Sequence, residues 1–122
     1  MSLKTIFKAQ SIVLLLNAIG GLFVTVLFLT NAGWEDPSDD LITLGQFMGM
    51  TFLVLSIWSW RMPDVAGDSL KSIGMLFAIG GLLWTIIIGF HIITGQVAGL
   101  TAYINIIITA LFAVGFYVYS KD

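Results

Sequence analysis

Few side chains in this 122-residue chain can do chemistry, and those inside its long apolar runs carry no fixed charge. His91 is the clearest of them. It is the side chain whose charge changes near neutral pH, and its two ring nitrogens can donate or accept. The amides of Gln46 and Asn105 offer donors and acceptors together, which suits the orienting of a ligand headgroup. Tyr103 adds a phenol two residues before Asn105. Trp84 stands in the middle of an apolar run, where its ring can line a slot for a lipid, a quinone or another apolar molecule. Core filling is its plainer use, shared with Phe23, Phe47, Phe52, Phe77, Phe90 and Phe112.

Metal and covalent chemistry have little to work with. A closed zinc site wants four ligands, usually Cys and His, and this chain has one His and no Cys. Haem held by two histidines would need two copies meeting at an interface. The run Glu35-Asp36-Pro37-Ser38-Asp39-Asp40 lacks the spacing of a calcium loop and reads as a solvated segment. No nucleophile–base pair, phosphate-cradling glycine loop or paired carboxylates can be assembled. The expectation is a non-enzymatic protein with no catalytic residue, no metal and no cofactor.

The elements that position these groups follow from composition. The chain is 58% hydrophobic and 10% charged, with a mean hydropathy of +1.01, against about 45–50% and 25% in globular domains. Its five Lys/Arg and seven Asp/Glu cluster, leaving charge-free runs at 9–34, 41–60 and 72–120. A membrane-spanning helix needs roughly 20 mostly apolar residues. The first two runs are one span each, and the third is two spans and a turn. Strands are excluded because stretches such as 12–16 and 22–29 are apolar on consecutive positions, which would make both faces of a strand greasy. The reading is an all-α integral membrane four-helix bundle, one domain over 1–122, with spans at about 9–31, 41–60, 71–93 and 100–119. Asp39 or Asp40 is placed to cap the second helix, and Asp68 or Ser69 the third. A net charge of −2 without a basic stretch excludes a nucleic-acid partner.

Charge also sets orientation. Lys4, Lys8, Arg61, Lys71 and Lys121 all fall on one side of this arrangement, while Glu35, Asp36, Asp39 and Asp40 fall on the other. The positive-inside bias then puts both termini in the cytoplasm, as expected for a cytoplasmic (inner) membrane protein. A cleaved signal peptide is the competing account of the first span. Its apolar core, at 12–29, is longer than the 7–15 residues usual for a signal, so the span is expected to stay.

Depth then groups the polar residues. His91 lies near the outer end of the third helix. Gln46 and Asn105 are each about 8 Å below their helix starts, and Tyr103 is higher still. All four share the outer level. The sharper reading is an outward-opening pocket roofed by the acidic loop; the plainer one is ordinary interhelical hydrogen bonding.

Shifting the chain by sixty residues lays Leu16-Asn17-Ala18-Ile19-Gly20-Gly21-Leu22-Phe23-Val24-Thr25 on Leu76-Phe77-Ala78-Ile79-Gly80-Gly81-Leu82-Leu83-Trp84-Thr85, with seven of ten positions identical. A duplicated two-helix hairpin would produce this echo, and so would chance among few residue types. Gly20, Gly21, Gly80 and Gly81, with the Gly45-x-x-x-Gly49 pair, are the expected helix-packing positions, since small residues let membrane helices approach closely. Packing within one chain is the plainer use of the pair; a homodimer interface is the other.

The segment Leu44-Gly45-Gln46-Phe47-Met48-Gly49 leading to Ile57-Trp58-Ser59-Trp60-Arg61, followed by a short loop and a His-bearing helix, resembles small DoxX-like proteins. The resemblance covers chain length, helix count and the tryptophan–arginine end of the second helix. It implies a bacterial four-helix membrane protein, in some members associated with oxidoreductase or quinone-linked partners. The redox cysteines of some members are absent here.

Proton- and ion-coupled carriers commonly keep an ionisable residue facing the bundle interior. No Asp, Glu, Lys or Arg lies within a span here. The expectation is therefore an accessory subunit, or a binder of membrane lipid or another apolar molecule, alone, as a homodimer or in a larger membrane complex. The alternative is an oligomeric small-solute transporter or channel.

Overall fold

The computed structural model describes residues 1–121. Its helices are α1 (Leu3–Phe23), α2 (Thr25–Asn31), α3 (Asp39–Val65), α4 (Leu70–Ile93) and α5 (Leu100–Ser120), with a single 3-10 turn at Gly67–Ser69 before α4. No strand occurs among the described residues. Four of the helices are long and apolar enough to cross a membrane. The chain is an all-α integral membrane protein. The 27 residues of α3 extend about 40 Å, longer than a hydrocarbon core of roughly 30 Å. Its last turn, beyond Arg61, therefore reaches past the apolar layer.

The first span is not one straight helix. It breaks at Val24 (φ −129°, ψ 48°), just after the Gly20-Gly21 pair, a usual place for a kink. Past the break the Phe28 ring covers Gly20; a Cβ on Gly20 would sit 2.6 Å from that ring. The Thr25 hydroxyl donates to the Gly21 carbonyl at 2.7 Å, satisfying backbone exposed by the irregularity.

The caps differ from expectation. Ser38, not an aspartate, accepts from the Leu41 N–H at 3.2 Å, and Asp39 and Asp40 occupy the first turn, where their charge suits the helix dipole. The 3-10 turn leads into α4 without a side-chain cap from Ser69.

The chain forms two antiparallel hairpins, α1/α3 and α4/α5, joined mainly along α1 and α5. α3 and α4 meet by side chains, the Phe52 and Trp84 rings 6.4 Å apart. The core sits at the end carrying both termini. Phe7 and Phe116 are wholly buried there with Leu3, Ile6 and Ala78. Phe7 packs edge-on against Phe77 (4.9 Å) and Phe116 (4.8 Å), so one α1 ring holds both helices of the second hairpin. All five Lys and Arg also lie at this end.

Candidate functional site

The expected outer-level residues fall into two sets. On α4, His91 lies in the last turn with its Nδ1 buried and without a hydrogen-bond partner. Its carbonyl closes the helix, accepting from the Gln96 and Val97 N–H groups at 2.9 and 3.2 Å. Trp84 precedes it by seven residues, which puts both on one face of α4. Asn105 is half-buried on α5, and its carbonyl accepts the Thr109 hydroxyl at 2.9 Å. Thr85 in turn reaches Thr109 at 3.2 Å, so a short hydroxyl chain joins α4 to α5 below Asn105.

Gln46 and Tyr103 are exposed on the lateral surface, and so is Trp84. No hydrogen bond or ring contact joins any two of His91, Gln46, Asn105, Tyr103 and Trp84 among the described residues. They share a level but are not gathered into one pocket. Nor do three or more His, Asp or Glu side chains cluster at metal-binding distance among those residues.

The packing glycines are more sharply placed. A Cβ on Gly21 would lie 2.9 Å from the Gly49 Cα and 3.0 Å from the Gly45 carbonyl oxygen. One on Gly49 would lie 2.9 Å from the Gly21 backbone, and one on Gly45 2.9 Å from Thr25. Gly45 and Gly49 are thus filled from within the chain, leaving no space there for a second copy. Gly81 faces Ala113 at 3.1 Å. Gly80 is the exception: a Cβ there meets nothing within 4 Å.

Below the glycines, α1 and α3 are joined by serines. Ser11 donates to the Ser56 carbonyl at 2.7 Å and Ser56 to the Ser11 carbonyl at 2.8 Å, a reciprocal pair. Ser59 donates to the Phe7 carbonyl at 3.0 Å. Sequence reasoning passed over Ser11 and Ser59, because a serine in an apolar run shows no partner until the facing helix is known.

Beside this seam lies a lateral groove of about 540 Å³ between α1 and α3. Ile12, Leu15, Leu53 and Ile57 line it, Ser11 and Ser56 form its floor, and Trp60 and Arg61 close its lower end. A smaller groove of about 280 Å³ runs along the other side of α1 against α5, lined by Ala9, Val13, Ile108 and Leu111 among others.

At the lower end of the first groove, Lys8 donates to the Trp60 carbonyl at 2.5 Å and to Asp64 at 3.2 Å, with its ammonium 4.2 Å from the Trp60 ring centre. Lys4 stands 3.6 Å from the same carboxylate. The hydrogen bond from Lys8 holds the Asp64 carboxyl below its ordinary value, against the opposing effect of desolvation, and the charges of Lys8, Lys4 and Arg61 lower it further. Comparison with protein-family models, curated proteins and solved structures finds no match to this chain.

Proposed function

We propose that this chain is a non-enzymatic bacterial membrane protein, DoxX-like in kind, that binds a lipid or another apolar molecule on the lateral face of its bundle. It acts alone or as an accessory subunit of a larger membrane complex. Its termini lie in the cytoplasm and its acidic loop outside, by the positive-inside bias. The observation that carries the reading is the α1–α3 groove. Its volume of about 540 Å³ falls within the roughly 300–1,000 Å³ of small-molecule sites, and it opens toward the membrane rather than toward water. Loops this short leave little else to recognise a partner.

Retention of lipid or quinone through detergent purification tests the proposal. Delipidated protein that regains no apolar ligand from a mixed membrane extract would overturn it. A C-terminal reporter found outside the cell would overturn the orientation.

The buried, unpartnered Nδ1 of His91 favours a second reading, an oligomeric small-solute transporter or channel with an outward-facing polar pocket. The exposure of Gln46 and Tyr103 weighs against it. Robust solute flux in proteoliposomes, lost in His91→Ala, would replace the first reading with this one.

A further inference from the structure

We propose that the α1–α3 groove is a site for an anionic phospholipid, with an acyl chain along Leu15, Leu53 and Ile57 and the phosphate at Arg61. The inference rests on reading the protein as a binder of apolar membrane molecules and names the class of molecule.

The shape of the site is that of an amphiphile. From Leu53 to Arg61 the groove follows α3 for eight residues, about 12 Å along the helix axis. Over that length it offers a ligand no free polar group. Ser11 and Ser56, the polar side chains on its floor, spend their hydroxyls on each other's carbonyls. Ile12 and Ile57 on its walls are more than half exposed, so the groove is open to the acyl-chain layer along its side. Polarity enters at one end only, with Trp60 and Arg61.

The charge at that end is selective. Three basic residues stand there, and two of them, Lys4 and Lys8, share the single charge of Asp64. Lys8 is further held by the Trp60 carbonyl and ring. Arg61 makes no ion pair or side-chain hydrogen bond among the described residues. An arginine presents a planar fork of donors that matches phosphate oxygens in pairs. It is exposed, on the last helical turn before Pro63, at the level where a span meets headgroups. A zwitterionic headgroup brings its own cation to this place; a monoanionic one leaves the phosphate to Arg61. The groove on the other side of α1 has no Lys or Arg side chain in its lining and so no guanidinium fork for a phosphate.

The test uses the purified full-length protein, offered equal amounts of phosphatidylglycerol and phosphatidylcholine with identical acyl chains, and native mass spectrometry of what stays bound. Wild type is expected to retain the glycerol lipid preferentially. Arg61→Gln should lower that preference about fivefold, the factor corresponding to about 1 kcal/mol per cation near a lipid surface, while keeping total lipid. Lys121→Gln, an equal charge change at the same end but outside the groove, should leave the preference alone. Ile57→Trp, which fills the groove, should reduce both lipids. An unchanged preference in Arg61→Gln, or an equal fall in Lys121→Gln, overturns the headgroup assignment and leaves the proposed function standing, provided Ile57→Trp still loses lipid. If Ile57→Trp and Ile12→Trp both fold by circular dichroism and retain lipid as wild type does, the groove is not the site and both proposals fall.

Discussion

The two hairpins share an echo in sequence but are held together by different means. In the first, α1 meets α3 backbone to backbone through Gly21, Gly45 and Gly49, and serines bond across the seam. In the second, α4 meets α5 through Gly74 at Ser120, Gly81 at Ala113 and Gly89 at Ile106, contacts made mainly with side chains, and through one threonine pair. Lipid tails are as apolar as a leucine, so membrane helices associate through close packing and interhelical hydrogen bonds rather than by escaping water. The first hairpin uses both devices fully. The second packs its glycines mainly against side chains, has one hydroxyl pair across its seam, and leans on Phe7 of α1 to close its lower end.

The echo itself survives in detail. Thr25 donates to the Gly21 carbonyl and Thr85 to the Gly81 carbonyl, each at 2.7 Å. Divergence begins on the partner helix. Sixty residues beyond Gly45 and Gly49 stand Asn105 and Thr109, and the closest α5 backbone to Gly81 is at Ala113 instead. Val24, where α1 breaks, corresponds to Trp84, through which α4 runs unbroken. The sixty-residue match thus marks a common helix face, Gly21 and Gly81 each meeting the partner helix of its own hairpin.

Substitutions that fill the glycine seam should separate the hairpins most. Gly49→Leu forces two backbones apart, so its cost should reach or exceed the top of the usual range of about 1–3 kcal/mol for overpacking. Gly81→Leu displaces Ala113 and should cost less. Gly80→Leu, facing open space, should stay within about 0.5 kcal/mol. Unfolding in detergent by added denaturing surfactant orders the three, and equal costs for Gly49→Leu and Gly81→Leu would erase the distinction.

Removing the ring that links the hairpins comes next. Phe7→Ala should cost about 2 kcal/mol, below the 3–5 of an aqueous core, because lipid offers the removed ring a comparable environment. Proteolysis at 94–100 should rise in that variant more than at 32–38, since the second hairpin loses its support. The reverse pattern would place the weakness in the first.

Smaller effects belong to the polar seam. Ser11→Ala and Ser56→Ala should each cost about 0.6 kcal/mol, the average for interhelical hydrogen bonds in a membrane. Thr109→Ala should cost less, because Thr85 keeps its bond to Gly81.

The smallest effect is set by acid. Asp64 has a folded-state value below its ordinary 3.8, so its pairing with Lys8 stabilises fully above that ordinary value. The stabilisation is lost as pH falls through the depressed folded value. The difference in unfolding midpoint between wild type and Asp64→Asn should be level from pH 8 to 5 and vanish in stronger acid. A difference that grows on acidification would invert the assignment.

How much could be read in advance differs by feature. Helix count and span positions follow from runs of apolar residues too long for anything else, so 41–60 and 71–93 recur within α3 and α4. Of the glycines, Gly21, Gly45 and Gly49 were legible by spacing. Gly80 was not, because spacing alone does not show which face of α4 meets a neighbour. Position along the helices groups His91, Gln46, Asn105 and Tyr103 by depth alone. It leaves out rotation about each helix, which sends Gln46 and Tyr103 outward.

Sequence alone therefore dictates the class of molecule and the segregation of charge, since both depend only on what hydrocarbon tolerates along one dimension. Tertiary structure decides which faces meet. Backbone approach at Gly21, the Ser11–Ser56 pair and the Arg61 groove each need residues some twenty-four to fifty positions apart in the chain to converge, and a periodic apolar pattern carries no information about that pairing. In a membrane, where every face of a helix is greasy, the choice of partner rests on small residues and single hydrogen bonds.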